Sequence, residues 1–143
     1  MNRSSRITKS CFRMNKYVAD TMAIVLFLED RKLPEKVKLT FKETVAGKNE
    51  LYISVVSLME IGYLFEKKRI DTSITAVIEL TRRNKSFAIQ SLDSEIVLSA
   101  FKNKTIPELH DRLIAATASV LKAELITNDP IIQLSGFVKT IWG

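Results

Sequence analysis

One cysteine, one histidine, three prolines and four glycines are spread over 143 residues. The lone Cys11 rules out an intrachain disulfide framework, and so low a thiol content is consistent with a reducing cytoplasm. No Cys/His cluster offers a soft metal site. Scarce glycine and proline beside 46% hydrophobic residues argue for a compact, helix-rich globular protein. The apolar stretch VADTMAIVLFLED is interrupted by Asp20, is too short for the roughly 20 residues that span a bilayer, and is followed by no small-residue cleavage site. It therefore reads as neither an export signal nor a transmembrane helix. Repeats, low-complexity tracts and interdomain linkers are also missing, and the length suits one domain with one core.

Acids are missing from the first sixteen residues, which hold Arg3, Arg6, Lys9, Arg13 and Lys16. Those five account for most of the net charge of +6, since 17 of the 22 basic residues face all 16 acidic ones from Tyr17 onward. The folded part is near neutral, and the excess belongs to an arm. Such an arm can bind nucleic acid non-specifically. Met14, which opens MNKYVAD, equally suits a native start. Residues 1–14 thus read as a basic N-terminal extension and 15–143 as a single domain.

Hydrophobic patterning predicts strands alternating with helices. Tyr17–Ala19 reads as a first strand, with Asp20 and Thr21 capping a helix through Leu28. Pro34 opens a second helix to about Ala46, with Val37, Leu39, Phe41 and Val45 partly inward, and Gly47 stops it. LYISVV (Leu51–Val56) reads as strand two, and Ser57 caps a third helix through Lys68. Ile74, Val77, Ile78 and Thr81 line a fourth helix ending near Arg83. Phe87–Leu92 is strand three, Ser94–Lys102 a fifth helix, Glu108–Leu121 a sixth, Leu125–Thr127 strand four, and Lys139–Trp142 a short edge strand. This alternation predicts an α/β fold with a parallel sheet of about five strands and helices on both faces.

Four carboxylates sit at the ends of apolar runs or inside them: Asp20 after KYVA, Glu60 in SLMEIGYL, Asp111 in LHDRLIAATA and Asp129 closing LITND. Each has an ordinary alternative. Asp20 and Asp129 suit helix caps or turns, and Asp111 suits an ion pair with Arg112 or Lys104. Glu60 is harder to explain away, because Leu58, Met59, Ile61 and Leu64 around it are apolar and a buried carboxylate needs a partner. In a parallel sheet, sites form beyond the carboxyl ends of the strands. All four acids can reach that edge. Acids gathered there repel one another and lose hydration, which a hard divalent cation offsets.

The blocks YVADT, SLMEIGYL, LHDRLIAATA and LITND, in this order and spacing, resemble the four acidic blocks of the PIN domain family, closest to the VapC toxins of toxin–antitoxin pairs. The resemblance runs from about Tyr17 to Trp142. It implies that Asp20, Glu60, Asp111 and Asp129 are the metal-binding, catalytic acids, and that Thr21 and Thr127 are the supporting hydroxyls. It implies an endoribonuclease that uses Mg2+ or Mn2+ to hydrolyse RNA phosphodiesters with metal-activated water, leaving a 5′-phosphate and a 3′-hydroxyl. It further implies a cognate antitoxin and a homodimer. Backbone contacts to RNA would fall to Lys67, Lys68 and Arg69, to Arg82, Arg83 and Lys85, or to Arg112. The basic clusters also suit helix C-termini. Ile61, Leu64, Phe65, Ile70 and Ile74 on the third and fourth helices offer a groove for a partner helix, or plain core. His110 occupies a variable position in the pattern. Competing readings are a PIN nuclease of RNA maturation or decay, an RNA-binding scaffold, and a receiver-like domain with Asp93 as phosphoacceptor, against which Lys139 opens its strand where that class needs a lysine after the last one.

Overall fold

Adjacent residues of the first strand face opposite ways and are both sealed from water, which sets the architecture. The structure, a computed structural model, describes residues 14–143. The basic extension therefore lies outside the described residues, Met14 excepted. β1 (Lys16–Ala19) sends Val18 into one hydrophobic cluster and Ala19 into another. A strand buried on both faces belongs inside a covered parallel sheet. β2 (Glu50–Ser54), β3 (Phe87–Gln90), β4 (Glu124–Ile126) and β5 (Thr140–Ile141) complete it, all parallel, in the order β3-β2-β1-β4-β5. Val18 stands opposite Tyr52 of β2 and Leu125 of β4.

Helices α1 (Thr21–Leu28), α2 (Glu35–Val45), α3 (Val55–Glu66), α4 (Ile74–Arg83), α5 (Ser94–Lys102), α6 (Leu109–Leu121) and α7 (Pro130–Ser135) connect the strands. Ala23, Ile24, Phe41 and Val77 join Leu51, Ile53 and Ile126 on one face of the sheet. Phe27 stacks between Phe41 and Phe87 there, with ring centroids 4.3 and 5.8 Å away. Ile114, Ala115, Ala118 and Ile132 cover Val18 and Leu125 on the other face. α3 supplies Ile61 to the first cluster and Val56 to the second, so it straddles the carboxyl edge of the sheet.

Several boundaries differ from the sequence reading. The β-branched run LYISVV does not stay extended to Val56. Ser54, not Ser57, is the cap, with its hydroxyl accepting from the Val56 N–H at 3.0 Å, and α3 begins at Val55. β3 likewise ends at Gln90. On α2, Leu39 and Val45 face water, while Thr40 and Thr44 are buried beside Val37 and Phe41. The threonines can enter the core because their hydroxyls bond the carbonyls of Lys36 and Thr40, at 2.9 and 2.8 Å. Of the five apolar residues expected to offer a groove on α3 and α4, Ile61 and Ile70 are core, while Phe65 and Ile74 stay exposed. α7 is an element that the patterning does not predict. Asp129 caps it, Pro130 occupies its first turn, and Gly136 ends it at φ 71°.

Candidate functional site

The chain runs from β1 to β2 on one side and later returns to β4 on the other, so the sheet order reverses between β1 and β4. A crevice opens beyond the carboxyl ends of strands at such a reversal. Here it is a cleft of about 1000 Å³. Asp20, Glu60, Asp111 and Asp129 all line it, with Thr21, Asn128 and His110.

Each acid is placed by a different element. Asp20 leaves β1 with its N–H still on the sheet, 3.0 Å from the Ile126 carbonyl, and its Oδ1 accepts from the Ala23 N–H at 2.9 Å. The capping role and the cleft position thus coexist. Glu60 projects from the second turn of α3. Its Oε1 accepts from the Thr21 hydroxyl, which itself lies 3.1 Å from the Ser57 hydroxyl. Its Oε2 lies 3.1 Å from His110 Nδ1. Asp111 stands in the first turn of α6, where its N–H donates to the capping Glu108 at 2.7 Å. Asp129 caps α7 through Ile131 N–H at 2.9 Å. The buried Thr127 links two of the acids: its hydroxyl donates to Asp20, and its oxygen accepts the Asp129 N–H at 3.1 Å.

The electrostatics show that the acids share one neighbourhood. Burial raises the Asp20 carboxyl above its ordinary range; the Thr127 and Ala23 hydrogen bonds pull it back, and the charges of Asp129 and Glu60 push it up again. Asp111 is pushed up to about 7, first by burial, then by the charges of Glu108, Asp129 and Glu60 and by a hydrogen bond to Asp129. Burial and neighbouring charge together disfavour ionisation of Asp20 and Asp111, a cost that a bound cation would offset. The donor set is almost all oxygen, and the imidazole nitrogen nearest to it is turned toward Glu60, so a hard ion such as Mg2+ or Mn2+ fits the chemistry. As the side chains stand, no three carboxylate or imidazole groups among the described residues are drawn in tightly enough to clasp an ion.

The other residues singled out from sequence fall elsewhere. Lys67 stacks 5.4 Å over Tyr63, and Lys68 and Arg69 are exposed beyond α3. Arg112 turns away from Asp111. Its Nε donates to the Ile106 carbonyl at 2.7 Å, and its guanidinium lies 5.6 Å over the Phe101 ring, so it braces the loop before α6. No ion pair of Asp111 with Arg112 or Lys104 occurs among the described residues. Asp93 caps α5 beyond the edge strand β3, outside the cleft, which removes the basis of the receiver-like reading. The cleft also has an apolar wall of Met22, Leu26, Met59, Tyr63 and Trp142, which the motifs do not single out. One signal was present: Met59 and Tyr63 are four apart on α3, beside Glu60.

No curated protein matches the chain in sequence at a significant level. Solved structures share its fold. VapBC2 from Rickettsia felis, bound to a promoter DNA fragment, aligns with a TM-score of 0.67 at 20% identity, covering 90% of this chain and 99% of that one. A toxin–antitoxin complex from Klebsiella pneumoniae gives 0.61 at 18%, covering 87% and 95%. FitAcB from Neisseria gonorrhoeae gives 0.61 at 16%, covering 87% and 96%. Residues 17–134 match the PIN domain, a span that takes in all four acids and every strand but β5, and on that match the chain belongs to the PIN domain family.

Proposed function

We propose that this protein is an endoribonuclease dependent on Mg2+ or Mn2+, acting in the cytoplasm as the toxin of a toxin–antitoxin pair. The observation that carries the reading is the meeting of Asp20, Glu60, Asp111 and Asp129, from four separate elements, in one cleft where burial and the neighbouring acids raise the proton affinity of Asp20 and Asp111. These four acids would hold the ion and so be the catalytic residues. A divalent cation there supplies Lewis acidity and neutralises charge on a phosphodiester.

The chain's own groups prepare the site. Thr127 and Ala23 fix Asp20, Thr21 fixes Glu60, and Ile131 fixes Asp129. Water, not the ribose 2′-hydroxyl, would attack phosphorus, leaving a 5′-phosphate and a 3′-hydroxyl. Lys67, Lys68 and Arg69 would steady the RNA backbone at the end of α3, while Arg112 would contribute only through its loop. An antitoxin segment would cover the apolar wall beside the acids. The toxin–antitoxin complex among the structural relatives supports that partner, and a homodimer is proposed with it.

The test is cleavage of RNA with Mn2+ present. Wild type should give 5′-phosphorylated products. Asp20→Asn and Asp111→Asn should each lose at least about 100-fold in rate, in line with what removal of one electrostatic group costs an active site. Unchanged cutting by both variants, or cutting that survives EDTA, would reject the assignment.

A further inference from the structure

Glu60 reaches the cleft on a long side chain from a helix that straddles two hydrophobic layers. Its two oxygens are engaged by groups from two other elements. Oε1 takes the hydroxyl of Thr21, at the start of α1. Oε2 faces Nδ1 of His110, at the start of α6, at 3.1 Å. The competing acceptor, Glu108 Oε2, is farther away at 3.6 Å, and Glu108 Oε1 is already committed to the Asp111 N–H at 2.7 Å. We infer that His110 is a positioning residue for Glu60: together with Thr21 it clamps the carboxylate between α1 and α6, so that Glu60 is presented to the cleft in one orientation.

This rests on the cation-site reading and adds to it. The pattern of acids assigns His110 no role, and the residue follows from the geometry alone. A carboxylate can only accept, so this pairing calls for a proton on Nδ1 of His110. Groups that hold a metal-binding carboxylate from behind commonly govern affinity about 10–100-fold when removed. His110 also lines the cleft itself. The alternative is that the imidazole would bind the ion directly through Nε2, and the two roles call for opposite substitutes. Asparagine places an amide N–H where Nδ1 is. Glutamine places its amide where Nε2 is.

The experiment is titration of Mn2+ into the full chain, followed by calorimetry, with folding checked by circular dichroism. His110→Ala should weaken Mn2+ binding about 10-fold or more, His110→Asn should stay within about threefold of wild type, and His110→Gln should resemble alanine. In a Glu60→Gln background, His110→Ala should add little, because the histidine acts through that carboxylate. Wild-type affinity in His110→Ala, rescue by glutamine instead of asparagine, or an undiminished effect in the Glu60→Gln background would each overturn the inference while leaving the cation site standing. Should His110→Ala not fold, the asparagine and glutamine variants still separate the two roles. A wild-type chain that binds no Mn2+ would overturn both.

Discussion

Asp111 carries the clearest consequence at the level of single residues. Its carboxyl is pushed up to about 7, with burial the largest cause and neighbouring carboxylates the next. In an unfolded chain the same group titrates near 4. Between those values the folded protein holds a proton that the unfolded chain has released, so stability falls as pH rises through the window. Asp20 shifts in the same direction. Glu29 shifts the opposite way, held down by the Thr72 hydroxyl and the Asp71 N–H, but its contribution changes below about pH 4.5 and lies outside that window. Melting temperature measured in EDTA should therefore decline from about pH 4.5 to 7.5, and Asp111→Asn should flatten the decline. A melting temperature that climbs across the same range would show that the acids do not burden one another.

At the level of elements, α3 and α4 pack unusually close. A Cβ at Gly62 would stand 2.6 Å from Ile74 Cδ1 and 3.2 Å from its Cγ1. Glycine inside a helix costs about 1 kcal/mol relative to alanine, so close approach is the reason for it here. Gly62→Ala should gain little by itself, because Ile74 must move. Combined with Ile74→Val, which removes Cδ1, it should yield a protein about 1 kcal/mol more stable than the two single changes sum to, as read by urea denaturation. Strict additivity would mean the two helices do not meet as described. Elements were also where sequence patterning was most and least informative. Ser94–Lys102 and the Ala-rich α6 were legible because capping and periodicity agree there. The β2–α3 boundary was not, because Val55 and Val56 favour strand locally and only the Ser54 cap turns them into helix. α2 misled for another reason: Thr40 and Thr44 satisfy their hydroxyls on the helix's own carbonyls, so polar residues take the core positions expected for Leu39 and Val45. α7 carried its signals in Asp129, Pro130 and Gly136, but six residues are too few for a periodic pattern.

For the molecule as a whole, the sheet order made the site. β1 and β4 lie side by side though their sequences are far apart, and the Asp20 N–H on the Ile126 carbonyl fixes how the two acid-bearing turns meet. The four acids were legible because each ends or interrupts an apolar run. The apolar wall was not, because Trp142 reaches it only through the pairing of β5 with β4. Among the described residues no helix is long and apolar enough to cross a membrane. A cation bound on the proposed reading would couple binding to folding. Mn2+ at about 100 times its dissociation constant should stabilise the fold by about 2.7 kcal/mol, a rise of roughly 10 °C in melting temperature at this size. Asp20→Asn with Asp111→Asn should abolish that rise. The most direct measurement is a crystal grown with Mn2+ and examined by anomalous scattering. A peak is expected between the carboxylates of Asp20, Glu60, Asp111 and Asp129. A cleft with no peak, in a crystal where Mn2+ is bound elsewhere on the protein, would contradict it.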